Sequence, residues 1–169
     1  MITLPVNLVI RDKACAVIGG GHIALRKVKR LLDAGGKVTV IAPEICGPLQ
    51  ELEAAGRIRW RQKTYSRGDL YGYRLACCAA GDREAAGEAA AEAEERDIFF
   101  NSADCPAQGS CIMPAVLRRG DLVISVSTGG NSPAAAKLIK NELDNFINED
   151  CVRFLDRMTE FRKELGQKV

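Results

Sequence analysis

The sequence predicts an α/β fold, a right-handed doubly wound parallel sheet followed by a smaller α+β region and a C-terminal helical segment. Three observations predict it. Short apolar runs alternate with segments of helical periodicity as far as Asn101. A glycine-rich turn, Gly19-Gly20-Gly21, joins the first strong strand to the first helix. Beyond Asn101 the pattern changes to two apolar runs joined by a short turn, and then to helices.

Taken in order, Val6–Ile10 reads as an edge strand and Arg11-Asp12-Lys13 as a polar turn. Ala14–Ile18 is wholly apolar, as a strand buried on both faces should be. From His22 to Ala34 the residues Ile23, Ala24, Leu25, Val28, Leu31 and Leu32 recur at helical spacing between basic residues, and Gly35-Gly36 ends the helix. Lys37–Ala42 is the next strand, stopped by Pro43, and Ile45–Ala55 a helix closed by Gly56. Arg57–Arg61 alternates basic and apolar residues, the mark of a half-buried strand. Tyr73–Ala80, an alanine-rich helix from Asp82 to Arg96, and a strand over Ile98–Asn101 complete the sheet. A polar loop, Ser102–Ser110, leads to a hairpin of Cys111–Leu117 and Leu122–Val126 around Arg118–Asp121. Ser132-Pro133 opens a helix with an N-cap and a proline at its first position, and a last helix covers Asp150–Leu165.

The 169 residues, 47% hydrophobic and 27% charged, suit one nucleotide-binding-sized domain plus an appendage. A net charge of +2 argues against a general nucleic-acid binder, and no apolar stretch is long enough for a membrane span. No signal peptide is read at the N-terminus, and seven cysteines without a CxxC point to a reducing compartment, the cytoplasm. Cys105 and Cys111, in or beside the polar loop, are the candidate reactive thiols. With His22 the single histidine, Ser-His-Asp chemistry through any other residue and multi-histidine metal sites are excluded, and no metal ligand set is expected. No Walker-type phosphate loop and no Tyr-x-x-x-Lys pair occur.

Gly19-Gly20-Gly21-His22-Ile23-Ala24 matches G-x-G-x-x-[GA] between a strand and a helix. Gly19 permits the tight turn, Gly21 the approach of a pyrophosphate, and Ala24 close packing of helix on strand. An acid near the end of the second strand should hold the ribose hydroxyls of NAD. Glu44 is the candidate, and its other reading is a solvated helix N-terminal acid. No basic residue lies between Ala42 and Gln50 to meet a 2′-phosphate, which favours NAD over NADP. The Ala79–Asp82 loop, with Ala80 and Asp82, should border the cofactor, Asp82 also reading as a helix N-cap. Ser127, Thr128, Gly129 and Gly130 enter a second helix start and could hold a substrate carboxylate, with Lys140 further along that helix; the other reading is a capped turn. Asp104 follows the fifth strand at the carboxyl edge of the sheet, where it reads either as an acid or base beside a nicotinamide or as a turn aspartate.

Leu4-Pro5, Val17-Ile18-Gly19-Gly20-Gly21, Ala24-x-Arg26-Lys27, Val38–Pro43, Asn101-x-x-Asp104, Ile112-x-Pro114-Ala115 and Ser127-Thr128-Gly129-Gly130-x-Ser132-Pro133 occur in this order. Together they resemble the precorrin-2 dehydrogenase family, also found as the N-terminal module of sirohaem synthase, over roughly Leu4 to Ile147. The resemblance implies a Rossmann-like NAD-binding domain at residues 1–112, a small α+β dimerisation region at 113–148 and a short helical domain at 149–169. It implies NAD-dependent oxidation of precorrin-2 to sirohydrochlorin on the way to sirohaem, by an intertwined homodimer. Some family members also act as a ferrochelatase, with ferrous iron as co-substrate. The family's catalytic aspartate falls on Asp104 and its NAD contacts on His22, Ile23, Pro43 and Glu44. Two departures stand out: Gly81 replaces a common threonine, and Ser102-Ala103-Asp104-Cys105 replaces two valines before the aspartate and an acid after it. With Val169 the last residue, no fused methyltransferase is expected. A non-catalytic NAD-sensing module would share the glycine fingerprint but would need neither Asp104 nor the Ser127–Pro133 loop.

Overall fold

In the computed structural model, which describes residues 2–166, the chain divides into two compact units, Thr3–Ile112 and Met113–Val169 with Met1–Ile2. The first unit runs β1 (Ala14–Ile18), α1 (His22–Asp33), β2 (Lys37–Ala42), α2 (Gly47–Ala54), β3 (Ile58–Gln62), β4 (Leu75–Cys78), α3 (Arg83–Glu95) and β5 (Phe99–Ser102). All five strands are parallel, in the order β3-β2-β1-β4-β5. That order reverses between β1 and β4.

Apolar sequence explains the middle of the sheet. Cys15, Ala16 and Val17 in β1, Val40 in β2 and Ala76 and Cys77 in β4 have no accessible surface, so both faces of these strands are covered. By alternation, Ala16, Ile18, Ile41, Ala76, Cys78 and Phe100 share one face and pack with Ala86, Ala89 and Ala93 of α3. The small alanines let α3 lie close to the strands. α1 buries Ala24, Leu25, Val28 and Leu31 in one stripe.

Two expectations are corrected. Val6–Ile10 is not a strand: residues 2–9 are exposed, and only Ile10 is buried. The chain passes from Ile10 through the turn at Asp12 directly into β1, the central strand. So short a turn cannot deliver the preceding segment to a sheet edge two strands away, about 10 Å off. The helix read from Ile45 begins at Gly47, because the Cys46 amide is bonded to Gly20 O at 2.8 Å and Pro48 takes up the first turn.

No helix links β3 to β4. The crossover over residues 63–74 is an irregular loop, held by two carboxylates. Glu92 of α3 is fully buried; it accepts from Tyr65 Oη (2.7 Å), Gly68 N (2.9 Å), Leu70 N (3.2 Å) and Arg96 Nε (3.0 Å). Asp69 accepts from Ser66 N at 2.9 Å and pairs with Arg61 (2.6 Å) and Lys63 (2.9 Å). Burial raises both carboxyl pKa values, but the donors outweigh it and hold each below its ordinary range.

In the second unit, β6 (Ala115–Arg119) and β7 (Leu122–Val126) form an antiparallel hairpin turning at Gly120-Asp121. It packs on α4 (Pro133–Phe146), with Leu117 and Ala136 buried, and α5 (Glu149–Gly166) follows. Among the described residues no helix is long and apolar enough to cross a membrane.

Glu92→Ala strands four donors and is expected to cost about 3–5 kcal/mol in chemical denaturation. The pH dependence has a definite sign. Both native pKa values lie below the unfolded values (about 3.9 for Asp and 4.3 for Glu), so their stabilisation is present above that range and lost as pH falls through the native values. Melting temperature should therefore drop steeply in acid, and the drop should be shallower in Glu92→Gln.

Candidate functional site

The carboxyl ends of β1, β2, β4 and β5 converge at the point where the strand order reverses, the place where open parallel sheets hold ligands. The β1–α1 turn is wedged between its neighbours. Gly19 N donates to Ile41 O at 3.0 Å, beside the end of β2, and Ala79 N donates to Ile18 O at 2.8 Å, beside the end of β4. Gly19 has φ +112°, and a Cβ on it would lie 2.4 Å from Ala79 O. A Cβ on Gly20 would lie 1.9 Å from Glu44 O. The middle glycine of the fingerprint, a free position in the motif, is thus as restricted here as the first. Gly21 differs: a Cβ there meets nothing within 4 Å, so its surface faces open space.

Gly21 is also the N-cap of α1 and offers no side-chain acceptor to the first turn. Asp82, by contrast, caps α3 by accepting from Glu84 N (2.9 Å) and Ala85 N (3.2 Å), so its N-cap reading holds. The amide end of α1 is left for an external anion, and the open surface of Gly21 lets that anion come close. The residues present therefore fit a pyrophosphate. Ala24 is fully buried against the sheet, as close packing requires, while Ile23 is 41% exposed at the helix start, an apolar surface at the mouth of the crevice. His22, Pro43, Glu44, Ala80 and Asp82 are exposed around the same crevice. Glu44 lies against the glycine turn through its own carbonyl. The basic side chains at the carboxyl end of β3, Arg61 and Lys63, are occupied by Asp69.

Asp104 stands just past β5, in a turn where Cys105 N donates to Ser102 Oγ at 3.1 Å. It is exposed, makes no ion pair among the described residues, and is near enough to Cys78 to raise that thiol's pKa, after burial. An unpaired carboxylate thus borders the crevice from the β4–β5 side.

Behind it lies a contact the sequence reading missed. Lys27 of α1 donates to Asn101 Oδ1 at 2.6 Å, and Asn101 Nδ2 donates to Cys111 O at 3.0 Å, tying α1, β5 and the segment after it. Burial lowers the Lys27 ammonium pKa. Its one sequence signal was position: Lys27 follows Ala24 by one helical turn, on the buried stripe. Burial also pushes the Cys111 thiol up to about 11, which favours its protonated form at neutral pH.

Ser127–Gly130 and Lys140 belong to the second unit. The loop is largely closed on itself: Gly129 N donates to Ser127 Oγ (3.2 Å), Asn131 N to Thr128 O (3.1 Å) and Ser132 N to Thr128 Oγ1 (3.0 Å). An anion there would compete with those bonds. Ser132 Oγ caps α4 through Ala135 N. Lys140 lies about 12 Å along the helix from Ser132 and pairs with Asp144 at 3.9 Å, so it does not stand at the loop.

Fold and crevice define a dinucleotide-binding domain of the Rossmann type. The chain belongs to the family described as "Putative NAD(P)-binding", whose model matches residues 6–115, and residues 119–145 match the model described as "Sirohaem biosynthesis protein central". It is 35% identical to a siroheme synthase of Methylobacillus flagellatus, over 99% of this chain and 36% of the relative. With one of Ectopseudomonas mendocina the identity is 40%, over 97% of this chain and 35% of the relative. The chain thus spans about a third of these curated relatives, and corresponds to the N-terminal module of sirohaem synthase. A solved structure titled "SirC, precorrin-2 dehydrogenase" superposes with a TM-score of 0.81 at 29% identity, over 94% of this chain and 78% of that one.

Two glycine variants separate folding from binding. Gly20→Ala should lower the melting temperature, since the added methyl meets backbone. Gly21→Ala should leave melting unchanged yet weaken NADH binding, read by fluorescence titration, roughly tenfold or more, the value of a lost charge-assisted hydrogen bond.

Proposed function

We propose that the protein oxidises precorrin-2 to sirohydrochlorin with NAD, acting as a homodimer in the cytoplasm. The observation that carries this reading is Asp104, an unpaired carboxylate bordering the crevice built for a dinucleotide. Bound NAD supplies the hydride acceptor. The chain's own residues do the rest. The α1 amide end and Gly21 would hold the pyrophosphate, and Glu44, beside the turn, would accept from the ribose hydroxyls. NAD is favoured over NADP because Arg61 and Lys63 are neutralised by Asp69 and so have little to offer a 2′-phosphate.

Oxidation removes a hydride and a proton from the reduced macrocycle. Asp104, exposed and free of a competing cation, would take the proton on its carboxylate oxygen as the hydride leaves, giving sirohydrochlorin, NADH and one proton for solvent. Ser127–Gly130 and Lys140 of the second unit are proposed contacts for the substrate's carboxylates; because the Thr128 hydroxyl donates to Ser132 O, the closed loop would make its anion contacts through the Ser127 hydroxyl and what few amides stay unspent.

The dimer reading rests on surface. α4 exposes Leu138 (62%), Ile139 and Phe146 (76%), and α5 exposes Phe154, Met158, Phe161 and Leu165 at a 4-3-4 spacing. Such a stripe costs less when a partner covers it. Seven free thiols suit the reducing cytoplasm.

Anaerobic incubation with precorrin-2 and NAD should yield NADH and the sirohydrochlorin spectrum in step; neither product from folded protein overturns the reading. Asp104→Asn should lower turnover by about 10²–10⁴ while leaving NAD affinity nearly unchanged. Near-normal turnover would make the aspartate structural. Sedimentation at micromolar concentration should give a dimer, and Phe146→Glu should shift it toward monomer.

A further inference from the structure

The missing helix between β3 and β4 leaves part of one sheet face bare. Tyr65 and Leu70 of the crossover loop cover that face near Ile41 and Ile18, and α3 covers β4 and β5. Toward the β3 edge an open groove of about 690 Å³ remains, lined by Lys37, Arg57, Arg59, Tyr71 and Tyr73 among others. Its size is that of a small-molecule site. It runs from the starts of β1 and β2 along β3 as far as Arg61 and Asp69, whereas the glycine turn of the dinucleotide crevice lies at the carboxyl end of β1.

Arg61 and Asp69 neutralise each other within this groove, but its other basic residues are poorly matched by the protein itself. Arg57, the residue before β3, and Arg59 within it both line the groove. Neither makes an ion pair among the described residues. The β2–β3 register begins with Val38 beside Ile58, and Lys37 and Arg57, one residue before each, bring two like charges to the same end of the groove. Lys37 has only an exposed, 3.8 Å contact with Asp12 to relieve it. Basic residues on an edge strand also deter pairing with another chain, but that role explains neither the groove nor its rings. Tyr71 is 78% exposed yet fixed, because Arg96 stacks on it at 5.4 Å and is itself held by the buried Glu92. A rigid exposed ring is a platform for a flat ligand.

We propose that this groove binds a flat polyanion, a small molecule with an aromatic ring system and at least two phosphate or carboxylate groups. The guanidinium forks of Arg57 and Arg59 take the acidic groups in bidentate fashion, Lys37 adds a point charge, and the tyrosines receive the ring. Nucleoside phosphates and carboxylated macrocycles share this chemistry, and their sources are separable by experiment. The macrocycle arm rests on the reading of the protein as a tetrapyrrole enzyme; the nucleotide arm does not.

Protein saturated with NAD is titrated with ATP in one arm and with uroporphyrin in the other, by calorimetry and by the fluorescence of Trp60, the single tryptophan and a β3 residue. At least one probe should bind at one site per chain, more weakly as salt rises. Arg59→Glu should weaken it about tenfold or more, and Arg57→Glu with Arg59→Glu about a hundredfold. NADH affinity should stay at the wild-type value in both variants, and melting temperature should be no lower than wild type. Binding of ATP alone identifies a nucleotide ligand, and of uroporphyrin alone a macrocycle. Failure of both probes to bind, or binding that the substitutions leave unchanged, overturns the proposal. In either case turnover of precorrin-2 is measured separately, so loss of the groove reading leaves the dehydrogenase reading intact.

Discussion

The contact on which the molecule's arrangement depends is between two pieces of backbone: the turn at Gly19-Gly20 and the carbonyl of Glu44. No side chain fits between them, since a Cβ on Gly20 would lie 1.9 Å from that oxygen. The contact sets the direction in which α1 leaves the sheet and therefore where its amide end points. It also fixes where α2 can begin, because the Cys46 amide is committed to Gly20. Glu44 is brought beside the turn by its own main chain, without help from its side chain. A ribose-recognising position and a phosphate-recognising helix end are thus two consequences of a single close approach.

On the other face of the sheet, carboxylates replace a secondary-structure element. Glu92 satisfies two loop amides, a phenol and a guanidinium from a position with no accessible surface. Asp69, also buried, does the same for one amide and two cations. An ordered loop is thinner than a helix, so it covers the centre of the face and leaves the edge open. The bare edge then has to be polar, and β3 meets that need with its alternating arginines.

Much of this was legible in the sequence, and the reasons differ by element. β1, β2 and the glycine turn were legible because burial on both faces demands an unbroken apolar run, and a tight turn demands glycine; few other residues satisfy either demand. Asp104 was legible as to place, from the strand before it, but its role came from an ordered set of motifs and not from its surroundings. The false strand at Val6–Ile10 shows the limit of periodicity: a strand needs a ladder partner, and no pattern of side chains reveals whether an edge is within reach. Glu92 and Lys27 were hidden for a common reason. Each is a charged residue on a helix, where solvation is the ordinary expectation, yet Glu92 is fully and Lys27 partly buried, each toward a long-range partner, Tyr65 or Asn101.

The Glu92 clamp has a consequence for the order in which the chain can assemble during its synthesis. The crossover loop is made before α3, yet the residue that satisfies its amides is Glu92, more than twenty positions downstream of Gly68 and Leu70. Until α3 has left the ribosome, the loop has no partner for those donors, and β4 has only its backbone ladder to hold it against β1. The β1–β2–β3 half is therefore complete in sequence well before it is closed in space. During that interval the apolar face of β1 and β4 that α3 covers stays open, the kind of surface on which nascent chains misassociate. A ribosome pause placed before codon 92 would prolong the exposure, and one placed after the α3 codons would shelter it.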